Sequence, residues 1–187
     1  MSNKVKFGFK NCYYAPITEG AGGSISYGTP VKLDGAVSMS LSASGDKTEF
    51  YADDALYFSD VNNNGYEGTL ELALIPDHFK IACLGATKDS NNVLVENSKT
   101  VNTPFALLCE FTGDEKERKF VFYNCLASRP DLASNTKAAS IDVQTETLNL
   151  TIRPNASGIV KAETSDTTTT GVASAWYNSV YETNASM

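Results

Sequence analysis

The chain has 187 residues, of which 42% are hydrophobic and 20% charged, and a formal net charge of −7. That length suits one sizeable domain, or a domain with an arm, and folding should bury roughly 70% of the unfolded chain's surface. The acidic balance argues against a protein that tracks a nucleic-acid backbone, because that task needs clustered Lys and Arg to displace counterions.

Taken in chain order, "MSNKVKFGFK" carries positive charges, but no apolar segment follows it. The longest aliphatic run, residues 72–75, cannot span a bilayer. Neither a targeting signal nor a membrane partner is expected, and synthesis in a cytoplasm is. "TEGAGGSISYGTP" reads as a Gly/Ser-rich loop. In "AVSMSLSAS", Val37, Met39, Leu41 and Ala43 alternate with four serines, as a half-buried strand requires. Residues 44–64 form a polar stretch that carries Tyr51, Tyr57 and Phe58. Such a composition suits a segment that orders against a neighbouring molecule, the alternative being that these rings fill the chain's own core.

Residues 60–71, "DVNNNGYEGTLE", match the calcium-loop pattern D-x-[DN]-x-[DN]-G-x5-E letter for letter. Asp60, Asn62 and Asn64 would take the first ligand positions, Gly65 the sharp turn and Glu71 the bidentate closure. Context argues otherwise. A helix should flank such a loop on each side, yet the residues after Gly65 alternate as a strand, Glu67 stands where an apolar residue belongs, and no second loop matches. "DVNNNG" reads more simply as a tight turn into a strand.

"TLELALI" then places Leu70, Leu72 and Leu74 on one strand face. "IPDHFKIACLG" breaks the rhythm. Pro76 suits a first helical residue, Asp77 the first turn, and Ile75, Phe79, Ala82 and Cys83 share one face before Gly85 stops a helix of about three turns. No other helix is expected. After a loop at "GATKDSNN", the segments "PFALLCEF" and "KFVFYNCL" are apolar on both faces and predict central strands, joined as a hairpin by the polar tip "TGDEKER". "DLASNTKAAS" is a loop, and "TETLNLTI" is a strand with Leu148, Leu150 and Ile152 inward. From residue 163 onward the chain reads as an arm without core periodicity. Its Trp176, Tyr177 and Tyr181 suggest docking onto the chain's own body or a neighbouring subunit, with a disordered tail as the alternative.

Catalytic chemistry finds little support. The single histidine, His78, falls in the predicted helix, and no G-x-S-x-G elbow, P-loop or dinucleotide fingerprint occurs. The carboxylate pairs Asp53–Asp54 and Asp114–Glu115 sit at predicted turns. Cys12, Cys83, Cys109 and Cys125 show no metal spacing and read as buried free thiols. The sequons at Asn149, Asn155 and Asn184 read as chance matches. Neither an enzyme nor a cofactor is expected, and no metal beyond the calcium candidate.

Several segments, in order, resemble the phi13-type major tail proteins of long-tailed bacteriophages, which form the tail tube. They are "KVKFGFKNCYYAPIT", "YGTPVKLDGAVSMSLSASG", "FYADDALYF", "NNGYEGTLELALIPDHF", "FALLCEFTGDEKERKFVFYNCLASRP" and "TETLNLTIRP", covering roughly the first 160 residues. The resemblance implies a mainly β fold, a β-sandwich or barrel of two antiparallel sheets with one short flanking helix over residues 1–162, followed by a Ser/Thr-rich arm at 163–187. It implies a virion location in the phage tail, as hexameric rings that stack into a tube. Its partners there would be other copies of itself, a tape measure protein, a tail terminator and distal tail or baseplate proteins. Genomic DNA would pass through without specific binding, along an acidic lumen that repels phosphate. The candidate inter-subunit contacts are Tyr51, Asp53, Tyr57, Phe58, Asn63, Trp176 and Tyr177. The runner-up is a monomeric carbohydrate-binding or adhesin-like module that uses the 60–71 loop. A third reading is another tube-like β-sandwich, such as a type VI secretion ring protein.

Overall fold

The computed structural model describes residues 3–20, 24–113, 115–136 and 143–183. In chain order its elements are β1 (Lys6–Glu19), β2 (Ile25–Tyr27), β3 (Val31–Leu33), β4 (Ala36–Ser44), β5 (Lys47–Ala52), β6 (Ala55–Val61), β7 (Gly65–Leu72) and α1 (Asp77–Cys83). They continue with β8 (Thr87–Lys88), β9 (Leu94–Val95), β10 (Phe105–Gly113), β11 (Arg118–Ala127), β12 (Glu146–Ile152), β13 (Lys161–Glu163) and α2 (Thr170–Ser174). The protein is mainly β. One large antiparallel sheet runs β2-β1-β10-β11-β12-β7-β4, with β3 added to β1 and β13 to β11. The last strand, β4, comes back against β1, so the sheet curls on itself.

Strands β10 and β11 lie at its centre because they are apolar on both faces. Phe105, Leu107 and Cys109 of β10, with Phe122 and Cys125 of β11, point into the curled interior. There they meet Leu70, Leu72, Leu148, Leu150 and Ile152. A register shift between Phe105 and Leu107 brings Phe122 and Cys125, three residues apart, to the same face. Helix α1 closes this interior. Phe79 packs edge-on against Phe105 and Tyr14, at ring separations of 5.2 and 5.0 Å. Pro76 caps α1 from outside rather than forming its first turn, and Gly85 follows at φ +72°. The helix is one turn shorter than the sequence predicts.

The opposite faces of β10 and β11 present Ala106, Leu108, Val121 and Tyr123. They are covered by the C-terminal segment, where Trp176 is only 3% exposed and Val180 is also buried. The Trp176 indole N–H donates to the Phe120 carbonyl at 3.3 Å, and the Tyr123 hydroxyl donates to the Tyr181 carbonyl at 2.8 Å. Tyr177 stacks on Tyr13 at 4.5 Å. The segment after residue 163 thus forms a strap on its own body with a second short helix, α2, that the sequence pattern did not predict. A disordered tail does not describe residues 163–183.

Two further local expectations are corrected, and one strand escaped the pattern. Val37 is exposed because a bulge between Ala36 and Ser38 shifts the alternation of β4. Leu74 is exposed because β7 ends at Leu72, where the chain turns toward α1. The longest strand, β1, carries no clean period-two signal, since Gly8 and Asn11 both adopt positive φ at register shifts against β10. Asp114, Asn184 and part of the "DLASNTKAAS" loop lie outside the described residues.

Replacing Trp176 by Ala removes the largest ring from the outer core. The expected loss is about 3–5 kcal/mol of unfolding free energy, measured by urea denaturation. A loss below about 1 kcal/mol would contradict a structural role for the strap.

Candidate functional site

The two strands of the 44–64 segment pair only with each other. In β5–β6, Lys47 faces Val61, Thr48 faces Asp60, Glu49 faces Ser59 and Phe50 faces Phe58. Asp53 and Asp54, at φ 51° and 58°, form a two-residue turn with both centres left-handed, as a type I′ hairpin requires. The backbone links Asn62 N–H to the Asp46 carbonyl and Asn64 N–H to the Ser44 carbonyl continue the β4–β7 pairing into the hairpin. The result is a two-stranded arm reaching about 20 Å past the sheet.

The arm exposes apolar side chains without packing them. Tyr57 is 76% exposed and Tyr51 61%, and Phe50, Leu56, Phe58 and Val61 are all at least half exposed. A bulge at Tyr57 lets Phe50 meet its ring edge-on at 6.4 Å, while Tyr51 turns to donate to Glu49 at 3.0 Å. The alternative that these aromatics fill the chain's own core is therefore overturned. Sequence reading missed Phe50, Leu56 and Val61. The alternation around "ADDA" held the signal, but Asp-Asp is a weaker hairpin mark than Asn-Gly.

The other candidates separate. Asp53 is at the arm's tip. Asn63 lies at its base, where its side-chain oxygen accepts from Gly65 N–H at 3.1 Å. Trp176 and Tyr177 belong to the strap, not to the arm. Tyr177 donates to Glu110 at 2.9 Å, and that carboxylate, 3% exposed, also accepts from the Asn11 amide at 2.8 Å and faces the Lys10 ammonium at 3.4 Å. Burial, followed by the Glu110 charge, pushes the Tyr177 hydroxyl far up. His78 sits on the exposed side of α1 with its Nδ1 3.0 Å from the Tyr14 hydroxyl.

The calcium-loop residues are drawn apart by strand geometry. Asp60 lies in β6 and accepts from the Val61 N–H at 2.9 Å, while Glu71 lies near the far end of β7, about 20 Å of extended chain from Gly65. Both Glu71 oxygens already accept hydrogen bonds, from Thr145 at 2.6 Å and Ser38 at 2.7 Å, which hold its carboxyl below the usual range. Gly65 itself is required. It sits at φ +101°, and a Cβ there would come within 1.9 Å of the Ile152 carbonyl. The glycine that completes the motif serves strand packing.

Among the described residues, no helix is long and apolar enough to cross a membrane. No protein-family model matches the chain, and no curated protein matches it.

Millimolar calcium is expected to leave the thermal midpoint unchanged within about 1 °C, since a site closed around one ion would stabilise the fold by mass action. A calcium-dependent rise of several degrees, abolished by Glu71→Gln, would restore the calcium loop as a site.

Proposed function

We propose that the chain is a structural assembly subunit, and specifically a tube-forming major tail subunit of a long-tailed phage, closing into hexameric rings that stack around a DNA channel. The observation that carries the reading is the arm. A two-stranded ribbon is marginal by itself in water, and this one exposes rings and aliphatic side chains over its whole length. Such a surface becomes stable when another molecule covers it. The body needs no such help, because both faces of its central strands are already buried.

The ordered likeness of the segments quoted above to phage major tail proteins supplies the particular assembly, and the net charge of −7 suits a wall along which DNA slides without sticking. In that role the subunit catalyses nothing. Its partners are its own copies and the proteins that set the tube's length and cap its ends.

The test is sizing by sedimentation over a wide concentration range, with negative-stain microscopy of the same samples. Rings or tubes are expected. A second sample, with residues 46–62 replaced by an Asn-Gly turn, should keep the thermal midpoint within a few degrees, because the arm adds nothing to the core, and should lose assembly. A strictly monomeric parent at all concentrations would overturn the proposal.

A further inference from the structure

The arm lies at one end of the subunit, and a surface complementary to it lies at the same end. Register fixes this. Ser44 faces Gly65 at the arm's base, Tyr66 faces Ile152, and Ile152 faces Cys125, so the arm leaves the sheet on the side where β11 begins at Arg118. There Arg118 faces Phe111, and Gly113 faces Lys6. The mouth of the curled sheet at this end is a depression of about 290 Å³, floored by Phe111 and Phe120 and bordered by Lys4, Val5, Lys6 and Arg118. The two floor rings meet edge-on at 5.4 Å. Lys6 lies over Phe111 at 5.2 Å, and Lys161, which also reaches Glu163 at 3.4 Å, lies over Phe120 at 5.8 Å, while Arg118 is paired with Asp166 at 3.1 Å.

The arm carries the opposite chemistry. Residues 46–60 hold five carboxylates against one lysine, and that lysine, Lys47, is paired with Glu49. Asp53 and Asp54 at the tip stand beside exposed rings. The arm does not fold back onto its own mouth, since its rings stay exposed.

We propose that the arm tip of one copy seats on the cation-rimmed aromatic mouth of a second copy beside it, in one layer. Copies turned about an axis along the strands carry arm and mouth at the same level, so the contact is lateral. It is also heterologous, since arm meets mouth and not arm, and it closes into a ring when the rotation allows. Charge complementarity fixes the register, and the rings supply buried apolar area. The inference rests on the self-assembly reading above and names its contact.

The native thiols allow a clean test with the full chain. All four cysteines are buried, and burial pushes Cys12 and Cys83 up to about 12, so an engineered surface thiol is the reactive one. A Tyr57→Cys chain is mixed with a Lys6→Cys chain and treated with a short bismaleimide. A linked pair is expected, and a chain carrying both substitutions should give a ladder that ends at the ring size. Val101→Cys, exposed at the opposite end, is the control partner for Tyr57→Cys. Assemblies that form with no more linkage than the control would overturn this contact and leave the assembly reading standing. A ladder that stops at two copies would overturn the ring geometry, and absence of any assembly would overturn both readings. Asp53→Asn with Asp54→Gly keeps a type I′ turn while removing the tip charge. It should weaken association about tenfold, as should Lys4→Gln with Lys6→Gln, and the combination should lose little more than either alone. Simple multiplication of the two losses would show that tip and mouth do not meet.

Discussion

Two adjacent strands that are apolar on both sides cannot face water on either, and the architecture follows from covering them twice. On the inner side, curvature brings Leu70, Leu148 and Ile152 over β10 and β11, with Phe79 of α1 filling the remaining gap. On the outer side no sheet is available, and a strap of aromatic residues takes its place. The two covers differ in character because the inner one is continuous sheet, whereas the outer one is a short segment that must be pinned. Rings with polar edges serve that need. Trp176 and Tyr123 each bury a large face and send a hydrogen bond to a backbone carbonyl, while Tyr177 reaches the buried Glu110 carboxylate. Glu110 joins β1, β10 and the strap through three donors, so its burial is compensated from each side.

Against that economy the β5–β6 arm stands out. Its backbone pairs internally and its turn chemistry is sound, so it is a formed hairpin, yet its side chains have no cover within the chain. Because the body is complete without it, losing or gaining contacts at the arm leaves the core unaffected. Folding and any association through the arm are thereby separable in free energy.

The sequence made much of the body legible. Leu148, Leu150 and Ile152 alternate inward as the pattern predicts, the two-sided segments are the central strands, and Phe79 and Cys83 of the short helix are buried. What escaped had local causes. Positive φ at Gly8 and Asn11 breaks the period of β1 without ending the strand. The bulge in β4 puts Val37 out of phase. The strap has no periodicity because it is a set of anchors, each made by contact with residues more than fifty positions away. The calcium-like letters arise where the arm's return strand meets β7, since asparagine and glycine serve a strand junction as well as an ion loop. The arm's exposed rings could be read as core or as interface from composition alone, and only tertiary placement separates the two.

The ends of the subunit are chemically unlike, and that bears on how copies could combine. One end carries the acidic aromatic arm beside lysines set over phenylalanine rings. The other carries α1 and exposed aliphatic side chains at Leu74, Val101 and Leu132. Bringing two arm-bearing ends together would place negative arms against each other, which disfavours that contact. On the proposed contact, copies set side by side in the same orientation would match arm to mouth, and layers stacked in that orientation would place the aliphatic end of one layer over the arm-bearing end of the next. On that proposal a single asymmetric subunit would specify both closure within a layer and a direction along the stack, without a second kind of chain to enforce either.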